Sequence, residues 1–154
     1  MTSHPYYLYW EEMRNLDVSQ KKVTIFLADD HKLIRQYVRG LLEAQPDFEI
    51  VGEASDGAGA LALLENLLPD ILVADLSMPA RNGIELAEEI RKREWLTKVV
   101  ILSIHGDNPD VAVAFNRGAS AYVLKGSGFE HAVTAIREVM AGRHYVSPPL
   151  VLPV

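Results

Sequence analysis

Five short apolar runs, at residues 23–28, 48–54, 71–74, 99–102 and 121–124, recur along the chain, and a helical pattern follows each one. A run that is apolar throughout has no face to offer water. It reads as a strand of a parallel sheet with helices on both sides. The helical patterns place Leu33, Ile34, Val38, Leu41 and Leu42 on one face of 31–44, and Ala60, Leu61, Leu64, Leu67 and Leu68 on one face of 57–68. Ile84, Leu86, Ala87 and Ile90 mark 83–94, and Gly118 closes a helix over 109–117. Ala132, Val133, Ile136, Val139 and Met140 mark 128–141, which Gly142 stops. Strict alternation of strand and helix predicts an α/β fold, a doubly wound five-stranded parallel sheet of (βα)5 type. In such a sheet, ligands bind at the strands' carboxyl ends.

Those ends carry an unusual set of polar residues. The first strand runs into Asp29-Asp30, the third into Asp75, the fourth into Ser103 and the fifth into Lys125. The fold would gather all five side chains at one edge. Three carboxylates there repel one another, and each ionised neighbour raises the pKa of the next. A hard divalent cation relieves this, and an oxygen-rich set with one or two direct carboxylates suits Mg²⁺. Lys125 adds a second positive charge, so the pocket becomes a site for a further anion. These features point to phosphoryl transfer. Asp75 is the candidate nucleophile, with Asp29 and Asp30 as metal ligands and the Ser77 backbone carbonyl as a third protein ligand. Mg²⁺ and Lys125 would neutralise the phosphoryl oxygens, and Ser103 would donate its hydroxyl to one of them.

Each residue also has a plainer reading. Asp29-Asp30 alone is an ordinary helix N-cap pair, Asp75 alone a turn residue, and Ser103 and Lys125 alone common surface residues. The constellation is what carries the inference. The histidines at 4, 31, 105, 131 and 144 have no metal-ligand spacing, and most of them read as solvated. His105 lies two residues past Ser103, at the mouth of the crevice, which gives it a modulating role in water access.

The segments FLADDHKLIR (26–35), PDILVADLSMPARNGIEL (69–86), VVILSIHGD (99–107) and RGASAYVLKGS (117–127) resemble the receiver domain of bacterial two-component response regulators. The resemblance covers about residues 22–145 and implies a flavodoxin-like, CheY-like fold. It implies Asp75 as phosphoacceptor, Asp29 and Asp30 as the acid pair, Ser103 as switch hydroxyl, Lys125 as the family lysine and Tyr122 as switch aromatic. DDHKLIR, the 117–127 segment and AGRHYVSPPL are similar to the NarL/FixJ (LuxR-type) branch, in which Gly126 in place of a proline is acceptable. The implied partner is a sensor histidine kinase, with homodimerisation on phosphorylation and DNA contact only through a helix-turn-helix output domain outside this sequence. The implied switch draws Ser103 to the phosphoryl group, lets Tyr122 fill the vacated space, and alters the surface of the fourth helix, fifth strand and fifth helix. Such a receiver catalyses only its own phosphorylation and dephosphorylation. It is a regulator of transcription rather than a metabolic enzyme.

Around this core, residues 1–22 read as a flexible leader with a helical turn over 10–16, residues 23–144 as the receiver, and residues 145–154 as the start of a linker. The chain has no cysteine and a formal net charge of −6, which disfavours a nucleic-acid face on this domain. No apolar run is long enough to span a bilayer and no signal-peptide pattern opens the chain, so a cytoplasmic location is expected. Three rival readings are weaker. A dehalogenase-type phosphatase needs D-x-D where Asp75-Leu76-Ser77 stands. A docking-only receiver would not need the full site. A nucleotide-binding flavodoxin-like protein would need a glycine-rich phosphate loop after the first strand.

Overall fold

The computed structural model describes residues 21–153, and the expected leader lies outside them except for Lys21 and Lys22. Strands β1 (Val23–Ala28), β2 (Phe48–Ala54), β3 (Ile71–Asp75), β4 (Lys98–Ser103) and β5 (Ala121–Leu124) alternate with helices α1 (Lys32–Glu43), α2 (Gly57–Leu67), α3 (Gly83–Lys92), α4 (Asn108–Asn116) and α5 (His131–Met140). A two-residue strand β6 (Tyr145–Val146) follows, and all neighbours pair in parallel in the order β2-β1-β3-β4-β5-β6.

Period-two alternation along the strands divides the core into two layers. Phe26, Ala28, Leu72, Ala74, Val99, Ile101 and Tyr122 face α2, α3 and α4. Ile25, Leu27, Ile71, Val73, Val100, Leu102 and Val123 face α1 and α5. Because both faces are covered, β3 is buried along its whole length. The edge strand β2 is covered less well and keeps Glu49 exposed. Helix ends are set by local chemistry. Asp56 caps α2 by accepting the Gly59 amide at 2.7 Å, and Asn82 with Glu85 forms a capping box on α3.

Two expectations need correction. Leu33, Leu67, Leu68 and Met140, assigned to inward helix faces, are exposed. They sit in the first or last turns, or at the cap, of their helices, and those turns overhang the sheet. The segment after 144 is not all linker. β6 adds a sixth strand to the expected five, and Ser147 is fully buried. The Ser147 amide donates to the Tyr122 carbonyl at 3.0 Å, and its Oγ accepts the Leu124 amide at 2.8 Å. An apolar tail residue, Leu150, packs on the core. The connection into β6 carries its helix on the face opposite to that used by β3-α3-β4 and β4-α4-β5, while the sheet order advances in the same direction. It is therefore of opposite hand, an uncommon arrangement.

Strand order reverses between β1 and β3, since β1 leads outward to β2 and the chain then returns past β1. The crevice at that reversal lies outside the carboxyl ends of β1 and β3. Asp29 follows one of these ends and Asp75 closes the other.

Candidate functional site

The sheet brings Asp29, Asp75 and Lys125 together. The Lys125 ammonium lies 3.1 Å from Asp29 Oδ2 and 3.2 Å from Asp75 Oδ2, and all three side chains are buried. Lys125 begins a single 3₁₀ turn, Lys125–Ser127, directly after β5. Its hydrogen bond goes to Asp29. The contact with Asp75 is an ion pair in which the ammonium is not well aimed for a hydrogen bond, so Asp75 Oδ2 is a buried acceptor without a well-formed one. The other oxygen, Oδ1, accepts the Ser77 amide at 3.1 Å. Asp75 is only 3% exposed, and burial pushes its carboxyl above the usual range. The Ser77 amide pulls it down, Asp29 pushes it up and Lys125 pulls it down again.

Asp30 is more open, at 33% side-chain exposure, and faces the same point from the rim. One ligand atom each from Asp29, Asp30, His31 and Asp75 can be chosen so that all lie within 4.8 Å of one another. An oxygen-rich set with a buried, unpartnered carboxylate oxygen fits a hard divalent cation, and the acidic cluster is of the kind that holds Mg²⁺. His31, though 58% exposed, stands beside this cluster. Its Nδ1 lies 3.3 Å from Asp29 Oδ1, 3.2 Å from Asp30 Oδ1 and 3.6 Å from Asp75 Oδ2. Sequence spacing hid it, because its neighbours come from three loop positions and not from one helix face.

Two further groups hold the site in place. Arg35 donates to the Asp29 carbonyl and pairs with Glu53 at 3.0 Å, which fixes the turn after β1. Gly83 permits close packing under the β3 loop, since a Cβ there would stand 2.8 Å from the Asp75 carbonyl and 2.9 Å from Ile101. Arg35 was not singled out from the sequence, whereas Gly83 was marked there only as part of the context of Asp75.

Ser103 closes β4 and is buried one residue beyond Leu102, the register partner of Asp75. Its Oγ accepts the His105 amide at 2.9 Å. The Tyr122 hydroxyl donates to the His105 carbonyl at 2.5 Å. Burial pushes the Tyr122 phenol up, and the adjacent Ser103 hydroxyl opposes this. Tyr122 is 0% exposed in this structure. The His105 backbone joins Ser103 to Tyr122, while its side chain is exposed and acts on Asp107 and Asp110.

With this geometry in hand, comparison with known proteins is decisive. The profile of the response regulator receiver domain matches residues 25–137. The chain belongs to that family. It is 36% identical to the transcriptional regulatory protein DegU of Brevibacillus brevis over 134 residues, covering 87% of this chain and 57% of that protein. It is 36% identical to the nitrate/nitrite response regulator NarL of Escherichia coli K12, covering 86% of this chain and 61% of that one. The chain thus spans about three-fifths of the curated relatives it matches. The signal receiver domain of the response regulator NarL from Mycobacterium tuberculosis superposes with a TM-score of 0.77 at 36% identity, over 80% of this chain and 99% of that domain. This is a receiver of the NarL/LuxR type, a signalling protein. Among the described residues, no helix is long and apolar enough to cross a membrane.

Proposed function

We propose that Asp75 is the phosphoacceptor of this receiver, and that the phosphoryl donor is a sensor histidine kinase. The observation that carries this is Asp75 Oδ2, buried, without a well-formed hydrogen bond, and 3.2 Å from the Lys125 ammonium. In the transfer, a carboxylate oxygen of Asp75 forms an O–P bond as the N–P bond of the phosphohistidine breaks, and the departing imidazole takes up a proton. Hydrolysis later cleaves the acyl phosphate, releases inorganic phosphate and restores the carboxylate. The receiver supplies the catalysis for both steps and turns over no metabolite.

Asp29, Asp30, Asp75 and the Ser77 carbonyl would hold Mg²⁺. When bound, that ion neutralises charge on the phosphoryl oxygens. Lys125 holds a second oxygen, and Ser103 Oγ donates to a third. The Ser77 amide holds the Asp75 carboxylate in place through Oδ1.

The switch begins at Ser103. Its movement toward the phosphoryl group disturbs the Ser103–His105–Tyr122 chain of contacts, and β5 carries the change outward. Ser147 is bonded to both Tyr122 and Leu124, so the tail leading away from the receiver is tied to the strand that responds. The altered α4-β5-α5 surface would support homodimerisation. It would also control DNA binding through an output domain outside this sequence, in the cytoplasm. His105 would modulate access of water to the phosphoryl group.

Incubation with acetyl phosphate and Mg²⁺, followed by intact mass measurement, tests the reading. One phosphoryl adduct is expected on the wild type, and none with excess chelator or in Asp75→Asn. An unmodified, folded wild-type protein across several small phosphodonors would leave only a docking role.

A further inference from the structure

The side chain of His31 has no role in the phosphoryl chemistry described above, yet it stands at the rim of the acidic pocket. We propose that His31 is a nitrogen ligand of this pocket, biasing it toward divalent ions that favour imidazole, such as Zn²⁺, relative to Mg²⁺. The inference rests on the reading of the pocket as a metal site.

Three observations carry it. First, His31 Nδ1 lies 3.2, 3.3 and 3.6 Å from single oxygens of Asp30, Asp29 and Asp75. Ligand atoms bound at about 2.0–2.2 Å to one shared ion stand about 2.8–3.6 Å apart, from octahedral to tetrahedral geometry. The spacing around Nδ1 therefore matches that of donors around a common centre. Second, Asp75 Oδ2 belongs to this set and is a buried acceptor without a well-formed hydrogen bond. Third, His31 is the N-cap residue of α1 but makes no side-chain cap bond; its Nδ1 is instead turned to the Asp29 carboxylate, at 3.3 Å from Oδ1, and its side chain is 58% exposed.

Lys125 and His31 also divide the carboxylates between them. Lys125 takes Asp29 Oδ2 from the buried side, while His31 faces Asp29 Oδ1 from the open side. A metal on the open side would meet three carboxylate oxygens and one imidazole nitrogen without displacing Lys125 from Asp29. Mg²⁺ gains little from that nitrogen. Ions of the later first row gain more, because imidazole suits them.

Two measurements on the full chain test this. Electron spin echo spectroscopy of bound Mn²⁺ is expected to show ¹⁴N modulation from a directly bound imidazole, absent in both His31→Ala and His31→Asn. Competition titration is expected to show the Zn²⁺-over-Mg²⁺ preference falling by about tenfold or more in the same variants, with Mg²⁺ affinity within about threefold of wild type. Circular dichroism checks that the variants fold, and Asp30→Asn, expected to weaken every ion, checks that the signal comes from this pocket. Mn²⁺ bound without ¹⁴N modulation, or an unchanged ion preference, overturns the His31 assignment alone. Failure of the wild type to bind Mg²⁺, Mn²⁺ or Zn²⁺ in the pocket overturns the metal reading as well.

Discussion

Replacing Asp75 by Asn should make the metal-free receiver more stable at neutral pH, although it destroys the proposed phosphorylation site. The carboxylate faces two acidic neighbours whose ligand atoms lie within 4.8 Å, and one ammonium at 3.2 Å. At an effective dielectric of about 20, unit charges 4.8 Å apart interact by about 3.5 kcal/mol and charges 3.2 Å apart by about 5 kcal/mol. Asp30 is partly solvated, so its share is reduced, and repulsion and attraction then nearly cancel. What remains is the cost of burying an ionised carboxylate with one oxygen unsatisfied, and Asn removes that cost. A gain of about 1–2 kcal/mol is expected, or about 3–6 °C in melting temperature. Saturating Mg²⁺ should reverse the order, since ligand at about 100 times its Kd adds about 2.7 kcal/mol to the wild type and far less to the variant. The sign with pH follows from the raised folded-state pKa of Asp75. Its ionised form is disfavoured in the native state, so wild-type stability falls as pH rises from the ordinary carboxylate range through the raised value. The gap to Asp75→Asn should open over that window and close below it. Thermal melts in chelator and in Mg²⁺, from acid to neutral pH, measure this. A variant less stable than wild type in chelator at neutral pH, or equal Mg²⁺ responses, would refute the reasoning.

Lys125→Met should destabilise the metal-free protein by about 3–5 kcal/mol, because it leaves Asp29 and Asp75 buried without their cation, and urea melts would measure the loss. Ser147→Ala should cost about 1–3 kcal/mol by leaving the Leu124 amide unpaired, and limited proteolysis should then cut the 145–153 segment faster while the sheet core resists. Gly83→Ala should slow phosphorylation from acetyl phosphate, since its methyl group would push on the Asp75 carbonyl and on Ile101. A wild-type rate there would show that the β3 loop tolerates the shift.

Much of this architecture was legible because the physics is repetitive. An apolar strand buried on both faces and a helix with one apolar stripe leave period-specific marks, and β1, β3, β4 and β5 carry them plainly. The acid pair, Asp75 and Lys125 were legible because parallel topology sends every strand's carboxyl end to one edge. The unread features depend on contacts without a period. β6 is two residues long, and its partner Ser147 looks like any linker serine until a buried amide claims its oxygen. His31 and Arg35 sit at the start of α1, where composition suggests only a polar cap, and their roles come from Asp29 and Asp75 across the crevice. The buried rotamer of Tyr122, bonded to the His105 carbonyl, likewise leaves no trace in sequence.

Borohydride trapping of the phosphorylated protein tests the central claim most directly. It reduces an aspartyl phosphate to homoserine, and peptide mass mapping then locates the change. After treatment with a phosphodonor and Mg²⁺, the account predicts homoserine at 75 and nowhere else. Homoserine at 29 or 30, or a phosphoryl group retained on a serine or histidine with Asp75 intact, would contradict it.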